Sequence, residues 1–590
     1  MSDLIVSNKS LYGVPTFKLL SEGTDISNLY TILSVTVDRI VNRVPTARVV
    51  LRDGSAAEEN FSASEGSDLV PGKTVSIAIG YDGNDQQMFQ GLIVQQAIKI
   101  GANGDSILTL HCKDAATRLT VGRHSRYFTN SSDSDAIATI LRSYKALTSE
   151  IENTKDQHPE IVQYYTTDWD FILSRAEMNG QIVLAEDSNL KVKPPKTDGT
   201  PLGKLLYGTN MLEFEAEMDV RSQYKAVKAK AWSYTNQALI EVKGSEPSIS
   251  TIGDLSSSEL ANVIGLEHLE LRHSGRIQEK ELRAWADAQL LKSRLAKIRG
   301  RVKIIGYPDA KPDTLVELAG VGKRFNGLAY VSGVRHEMVG NAWFTTMQLG
   351  LDPEWFYNTA DLVEKPASGL LPGVNGLQIG VVVQLQDDPN GEDRILVRSP
   401  LIDERAQGSW ARIATLDAGK ERGSFFRPEL GDEVVLGFLN DDPRDPIVLG
   451  MLNSSTKEAP LKGKDENHQK GFFTRSKMKV LFDDDKKVMT LETPNGNKVV
   501  ISDEDKGIAL KDQNGNTLVM DDSGIMMKSP KDITIEATGK LTLKATQDTK
   551  IEGLNVNAKA NVQFKAEGNA GAEVSTSAIA VLRGSLVQIN

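Results

Sequence analysis

The chain has 590 residues, with 68 Lys and Arg against 79 Asp and Glu and a net charge of −11; domains of roughly 150 residues would make it about four. That acidic balance argues against a dedicated nucleic-acid binder, which would present a basic face to phosphate, and the single cysteine, Cys112, excludes an internal disulfide framework. The start, Met1-Ser2-Asp3-Leu4, lacks the basic residues and apolar run of a secretory signal, and no stretch of about 18 apolar residues marks a membrane span, so assembly in a reducing cytoplasm is expected.

The first 125 residues read mostly as strand. Val75, Ile77 and Ile79 alternate with polar neighbours, Tyr81 to Asp85 carries an Asp-Gly turn, and Met88 to Val94 returns, which predicts a hairpin. Ser131 to Lys145 reads as helix, with Ile137, Ile140 and Leu141 on one face. A second helix is predicted from Asp168 to Asn179: Thr167 and Asp170 have capping-box spacing, Trp169, Ile172, Leu173 and Ala176 share a face, and Gly180 is a natural stop. A third, Gln278 to Ile298, carries Leu282, Trp285 and Ala286, and strands resume from Val302 to Leu349. The front half is therefore expected to be α+β.

Residues 358–376 form a loop-like joint with Pro366 and Pro372. Five short strands follow: Ile379–Leu385, Arg394–Arg398, Ala411–Ala414, Glu433–Phe438 and Pro446–Leu449. Their number and spacing suit a small Greek-key barrel of the OB type. A Lys-rich linker, Ser454 to Lys470, leads to the tail. All six Trp and all thirteen Tyr lie at or before Trp410, so the tail has no large rings with which to fill a thick core. It carries repeats instead. Asn495-Gly-Asn-Lys-Val-Val recurs nineteen residues later as Asn514-Gly-Asn-Thr-Leu-Val, and Ile533-Thr-Ile-Glu-Ala-Thr-Gly-Lys is followed by Leu541-Thr-Leu-Lys-Ala-Thr-Gln-Asp.

In those octads positions 1, 3 and 5 are apolar, a strand of about five residues and a short turn. Alternation continues in pieces over Val556–Ala566 and Val574–Ile589. Eight residues supply only one side of a three-sided coil that needs roughly 24, so the octads predict three identical chains each giving one side, with isolated chains leaving their apolar face wet. Counted over about 115 residues at about 4.8 Å per coil, the expected needle is on the order of 65–70 Å long. A single-chain β-solenoid that slips between coil lengths is the alternative.

Chemistry-bearing motifs are sparse. No Gly-x-Ser-x-Gly or His-Glu-x-x-His occurs. Gly320-Val-Gly322-Lys323-Arg324 lacks the first Gly and the final Ser or Thr of a phosphate loop and reads as a turn. His268 and His273 lack a third ligand, Asp483-Asp484-Asp485 reads as a solvated turn between the strands Met478–Phe482 and Val488–Leu491, and Cys112 as a small core residue. Non-enzymatic function is expected.

The densest signal runs from Phe426-Arg-Pro-Glu-Leu-Gly431-Asp432-Glu-Val-Val-Leu-Gly-Phe through Asp441-Asp-Pro443-Arg-Asp-Pro446-Ile-Val-Leu-Gly450 to Asn453. It resembles the OB-barrel motif of VgrG and related spike proteins of contractile injection systems, which include type VI secretion spikes, phage tail hub-and-needle proteins and extracellular phage-tail-like particles. Gly80 to Val94 looks like the hairpin of that family's tube-like hub domain, and Tyr164 to Gly180, with Phe171 and Arg175, like its helix ending in Gly.

The resemblance implies a mainly β protein with an α+β hub (residues 1–365) of two tube-protein-like β-barrel subdomains. An OB-fold barrel (376–454), a linker (455–472) and an intertwined trimeric β-helix needle with its tip (473–590) would follow. Its implied structural barrel positions are Gly431, Asp432, Pro443, Pro446 and Gly450. A tip for a separate PAAR-type cap would comprise Leu586, Val587, Gln588, Ile589 and Asn590. No catalytic residue, cofactor or metal is expected. The linker is too short for the lysozyme domain of some phage relatives, no effector is expected after Asn590, and no His-x-His follows His468 to bind iron at the tip.

The implied partners are two further copies, a hexameric inner-tube protein, baseplate proteins, the cap and effectors as cargo, with a target membrane met only on puncture. The expected place is a phage-tail-like particle, assembled in the bacterial cytoplasm and ejected or released. A trimeric β-helix adhesin and a phage tail lysozyme-type hub enzyme are the competing readings.

Overall fold

The computed structural model describes residues 13–102, 105–250 and 252–589, so the Met1–Leu4 stretch lies outside the described residues. Six strands open the hub: β1 (Pro15–Ser21), β2 (Ile32–Ile40), β3 (Thr46–Arg52), β4 (Thr74–Tyr81), β5 (Asn84–Ile100) and β6 (Ser106–Lys113). The predicted hairpin is β4–β5, its turn at Asp82-Gly83 with both residues at positive φ. The strands alternate buried and solvent-facing residues, and Leu51, Ile77, Ile79 and Phe89 form the core beneath them.

A second set follows the same plan: β7 (Lys204–Leu206), β8 (Glu213–Met218), β9 (Ile298–Ile305), β10 (Thr314–Ala319), β11 (Gly327–Val339) and β12 (Ala342–Leu349). In space the first set runs β1-β4-β5-β6-β3-β2 and the second β7-β10-β11-β12-β9-β8, the same order position for position. Only the outermost pair differs, antiparallel in the first set and parallel in the second. The hub is thus built on an internal duplication.

The two expected barrels are corrected here. Both sets lie in one open sheet of 13 strands, because β2 uses its outer edge to pair with β11 of the second set, Arg335 meeting Asp38 at 2.6 Å across the junction. Each set therefore continues into the other instead of closing on itself.

The helices sit in the insertions. Those of eight residues or more are α1 (Asp133–Leu141), α2 (Asp168–Met178), α3 (Ser257–Ile264) and α4 (Glu279–Leu295). α2 begins where the Thr167 hydroxyl accepts from the Asp170 N–H at 3.1 Å. α3 was not predicted; a Ser256/Glu259 capping box opens it and Gly265 at φ 74° closes it. Among the described residues no helix is long and apolar enough to cross a membrane.

Asp133 of α1, His158, Arg175 of α2 and Glu281 of α4 form a buried charged cluster that ties three helices together. Hydrogen bonds to Asp133 and Glu281 push the His158 pKa up to about 9. Burial alone would raise Asp133, but the hydrogen bond from His158 and the Arg175 charge outweigh it and hold that carboxyl at about 2. Because the folded pKa of His158 exceeds its unfolded value of about 6.5, its contribution is complete below that value and lost as pH rises towards 9. The hub is therefore expected to lose on the order of 2 kcal/mol between pH 6.5 and 9.5. Thermal melts across that range check this, and His158→Gln should flatten the dependence.

Candidate functional site

The barrel closes from β13 (Gln378–Gln384), β14 (Ile395–Arg398), β15 (Ser409–Ile413), β16 (Glu433–Phe438) and β17 (Pro446–Met451), in the order β13-β14-β15-β17-β16. Ile395, Ala411, Val434 and Val448 fill it. Gly431 turns the chain into β16 at φ 78°, a conformation a Cβ would strain, and its N–H donates to the Val382 carbonyl at 2.8 Å. The Asp432 carboxylate accepts from the Glu429 N–H and from Lys457 Nζ, both at 2.8 Å. Burial would raise its pKa, but these bonds lower it. The polar loop between β16 and β17 contains Pro443 and is pinned by Arg444, which grips Asp442. Pro446 is buried at the start of β17 opposite Phe438, and Gly450 pairs with Val435.

Beyond the barrel, seven strands form an antiparallel meander: β18 (Gln469–Phe473), β19 (Lys479–Asp483), β20 (Val488–Glu492), β21 (Lys498–Ser502), β22 (Gly507–Lys511), β23 (Thr517–Asp521) and β24 (Gly524–Lys528). β18 begins inside the expected linker. The registers align Phe472, Val480, Leu491, Val499, Leu510, Leu518 and Met527 in one row across all seven strands. Two residues along each strand, on the same face, Phe482, Met489, Ile501, Ile508, Met520 and Ile525 form a second row, interrupted only by Lys470.

This apolar face is largely open to solvent in one chain, and its first row, with Phe426, lines a groove of about 910 Å³. Phe426 of the barrel stacks on Phe472 at its upper end, ring centroids 5.5 Å apart, and Arg475 pairs with Glu429 at 2.8 Å.

The octad count is corrected in this stem. From Phe472 to Leu518 successive members of the first row stand alternately 8 and 11 residues apart, so two strands consume nineteen residues, the period of the Asn-Gly-Asn repeat; the last step, to Met527, is 9. Gly496 and Gly515, at φ 88° and 90°, turn the chain at equivalent corners. A length computed from octads over the whole tail does not apply to residues 469–528.

From Pro530 onward the described residues form no strand and are exposed throughout. The alternating stretches Val556–Ala566 and Val574–Ile589, expected as strands, lack a ladder in one chain, and the octad position Leu543 is 75% exposed. At the expected tip Leu586 and Ile589 are each 82% exposed, Val587 and Gln588 are also exposed, and Asn590 lies outside the described residues.

The remaining candidates stay apart. His273 ends the strand Leu269–His273 and bonds Gly275, while His268 just precedes that strand. Gly320 and Gly322 turn between β10 and β11 at φ 75° and 83°. Asp483 to Lys487 turns between β19 and β20. Cys112 is buried in β6, where burial pushes its thiol up to about 12. Among the described residues no group of three or more His, Cys, Asp or Glu side chains is placed to hold a metal ion.

Residues 12–340 match the Alg8 N-terminal domain, residues 378–452 the type VI secretion system/phage-baseplate injector OB domain, and residues 488–590 the phage baseplate V C-terminal trimerisation domain. No curated protein matches the chain. Among solved structures it is similar to the 43 kDa tail protein of prophage MuSo2 from Shewanella oneidensis (11% identity, 57% of this chain and 98% of that one, TM-score 0.44). It is also similar to a tail protein from Neisseria meningitidis MC58 (17% identity, 58% and 98%, TM-score 0.43) and to a chain of a Francisella PdpA-VgrG complex (10% identity, 88% and 89%, TM-score 0.39). The family matches, and not these distant likenesses, carry the assignment. With the first of them spanning more than half its length, the chain belongs to the Alg8 N-terminal domain family and is a VgrG-like, phage-tail-type spike or hub component of a contractile injection system.

Proposed function

We propose that the chain works as a homotrimeric, non-enzymatic spike. The observation that carries this reading is the continuous apolar surface of the tail: two rows along the stem, then octads whose apolar positions are wet in one chain. Three copies would bury the rows against one another and close the octads into an intertwined β-helix. The match of residues 488–590 to a trimerisation domain supports the same count.

The duplicated hub supplies two tube-like units per chain, six per trimer, to meet a hexameric inner tube. The barrel collars the needle base. Leu586 to Asn590 offer an end platform to a PAAR-type cap, with effectors as cargo, and baseplate proteins hold the hub. The particle assembles in the bacterial cytoplasm and is ejected or released, reaching a membrane only on puncture. Force comes from elsewhere in the machine, so the spike supplies rigidity and no reactive group.

Light scattering on the purified full chain is the test, with three copies expected; a stable monomer overturns the reading. Deleting residues 582–590 is expected to spare the trimer and abolish pull-down of the cap. Unchanged cap binding would contradict the tip assignment.

A further inference from the structure

We infer that the second hub unit holds a binding site for a phosphate group, in the cleft between the start of α3 and the segment joining α4 to β9. The cleft encloses about 410 Å³, with Lys297, Ser257 and Ser258 on its polar wall and Leu328 and Tyr330 on its apolar wall. Three cations, Lys225, Arg294 and Lys297, line it against one carboxylate among the described residues, Glu246, although the chain as a whole carries −11. An excess of positive charge held in a cleft gathers anions.

Lys297 is the cation without a counter-ion. It is 6% exposed, and its ammonium donates to the Leu255 carbonyl at 3.0 Å but pairs with no carboxylate among the described residues. The carboxylates nearby are engaged elsewhere. Glu246 grips Arg294 through Nε and Nη2 at 2.6 and 2.9 Å, Glu259 accepts from the Ser256 N–H at 2.6 Å, and Asp254 pairs with Arg324. Lys225 is held by Glu267 at 2.7 Å. Burial, with the adjacent Arg294 charge, pulls the Lys297 pKa below its ordinary value. A buried ammonium with unspent N–H groups is costly until an acceptor reaches it.

The helix makes the same demand. Leu255 directly precedes the Ser256 cap of α3, so the ammonium stands beside the positive end of the helix dipole, and the two repel unless an anion lies between them. Ser256 Oγ accepts from the Glu259 N–H at 3.1 Å, whereas the N–H groups of Ser257 and Ser258 have no acceptor within the helix. A phosphate seated there accepts from Lys297, from those N–H groups and from the serine hydroxyls, a donor set suited to a tetrahedral oxyanion. The apolar wall at Leu328 and Tyr330 leaves room for the organic part of a phosphate ester.

The test is a phosphorus NMR titration of the full chain at fixed ionic strength, with inorganic phosphate and phenyl phosphate as probes. One saturable site per chain is expected. Lys297→Met, which removes the charge and keeps an apolar stem, is expected to weaken binding at least about tenfold, the worth of a charge-assisted hydrogen bond. Ser257→Pro is expected to weaken it about fivefold, because proline fits the first helical position but brings no N–H. Tighter binding of phenyl phosphate assigns the site to an ester, and equal binding to free phosphate. No saturable binding of either probe, or full-strength binding in either substituted chain, overturns the site. Should Lys297→Met fail to fold, the Ser257→Pro chain decides by the same criterion.

Discussion

A chain truncated after Asn453 is expected to be a folded monomer at micromolar concentration, whereas the full chain is expected to remain trimeric when diluted about a thousandfold further. The hub and barrel bury their own cores: Leu51, Ile77 and Phe89 in the first hub unit, Val302 and Val331 in the second, Val434 and Val448 in the barrel are all nearly inaccessible within one chain. The tail buries almost nothing by itself. Its two rows present thirteen apolar side chains per copy, and Ile533, Leu541, Leu543, Val562 and Phe564 are exposed further along.

At about 1.5–3 kcal/mol for each large side chain taken fully from water, even partial burial of that surface outweighs the roughly 4–15 kcal/mol lost when chains associate. A contact confined to the hubs would rest on exposed polar pairs worth about 0–1 kcal/mol each. Sedimentation of the two chains over a dilution series distinguishes the cases. A truncated hub that stays trimeric as tightly as the full chain would place the association energy in the hub and overturn this account.

What the sequence made legible was local. All five barrel strands emerge within two residues of their positions, because β-branched residues alternate there and Gly431 and Pro446 punctuate them. Helix α2 is readable from Thr167, Trp169 and Gly180, whereas α3 lies outside the expected helices although Ser256, Glu259 and Gly265 mark its ends. What stayed hidden was pairing. The contact that merges the hub units joins Asp38 to Arg335, 297 positions apart, and alternation says nothing about such a partner.

The duplication is hidden in the sequence for a related reason. It survives in strand order and in an irregularity at the same place in both long strands, between Ile93 and Gln95 in β5 and between Val331 and Gly333 in β11, while equivalent positions hold residues as different as Lys99 and Glu337. In the stem the nineteen-residue repeat was visible but its meaning was not, since an octad period and an alternating 8 and 11 spacing both place apolar residues every second position. Only the register turns those positions into a row and shows which face needs a cover.

Which face is covered gives the second large effect. Val499→Asp is expected to lower the melting temperature of the trimer by more than about 10 °C and to release monomers on dilution at pH 8. Val499 lies mid-row between Leu491 and Leu510. In three copies the substitution sets three carboxylates into one apolar prism, each costing several kcal/mol to desolvate and repelling the other two. Burial and mutual repulsion both raise the pKa of such a group. The new carboxylates would therefore take up protons as the pH falls, and assembly is expected to recover partly near pH 5.

Lys511→Glu provides the comparison. It follows Leu510 directly, so its exposed side chain leaves the strand on the side opposite the row and reaches only the rim of the groove, and its effect is expected to stay within about 0.5 kcal/mol. Equal losses from the two substitutions, or a Val499→Asp trimer indifferent to pH, would mean that the Leu491–Val499–Leu510 row faces solvent and that the tail associates by its other face.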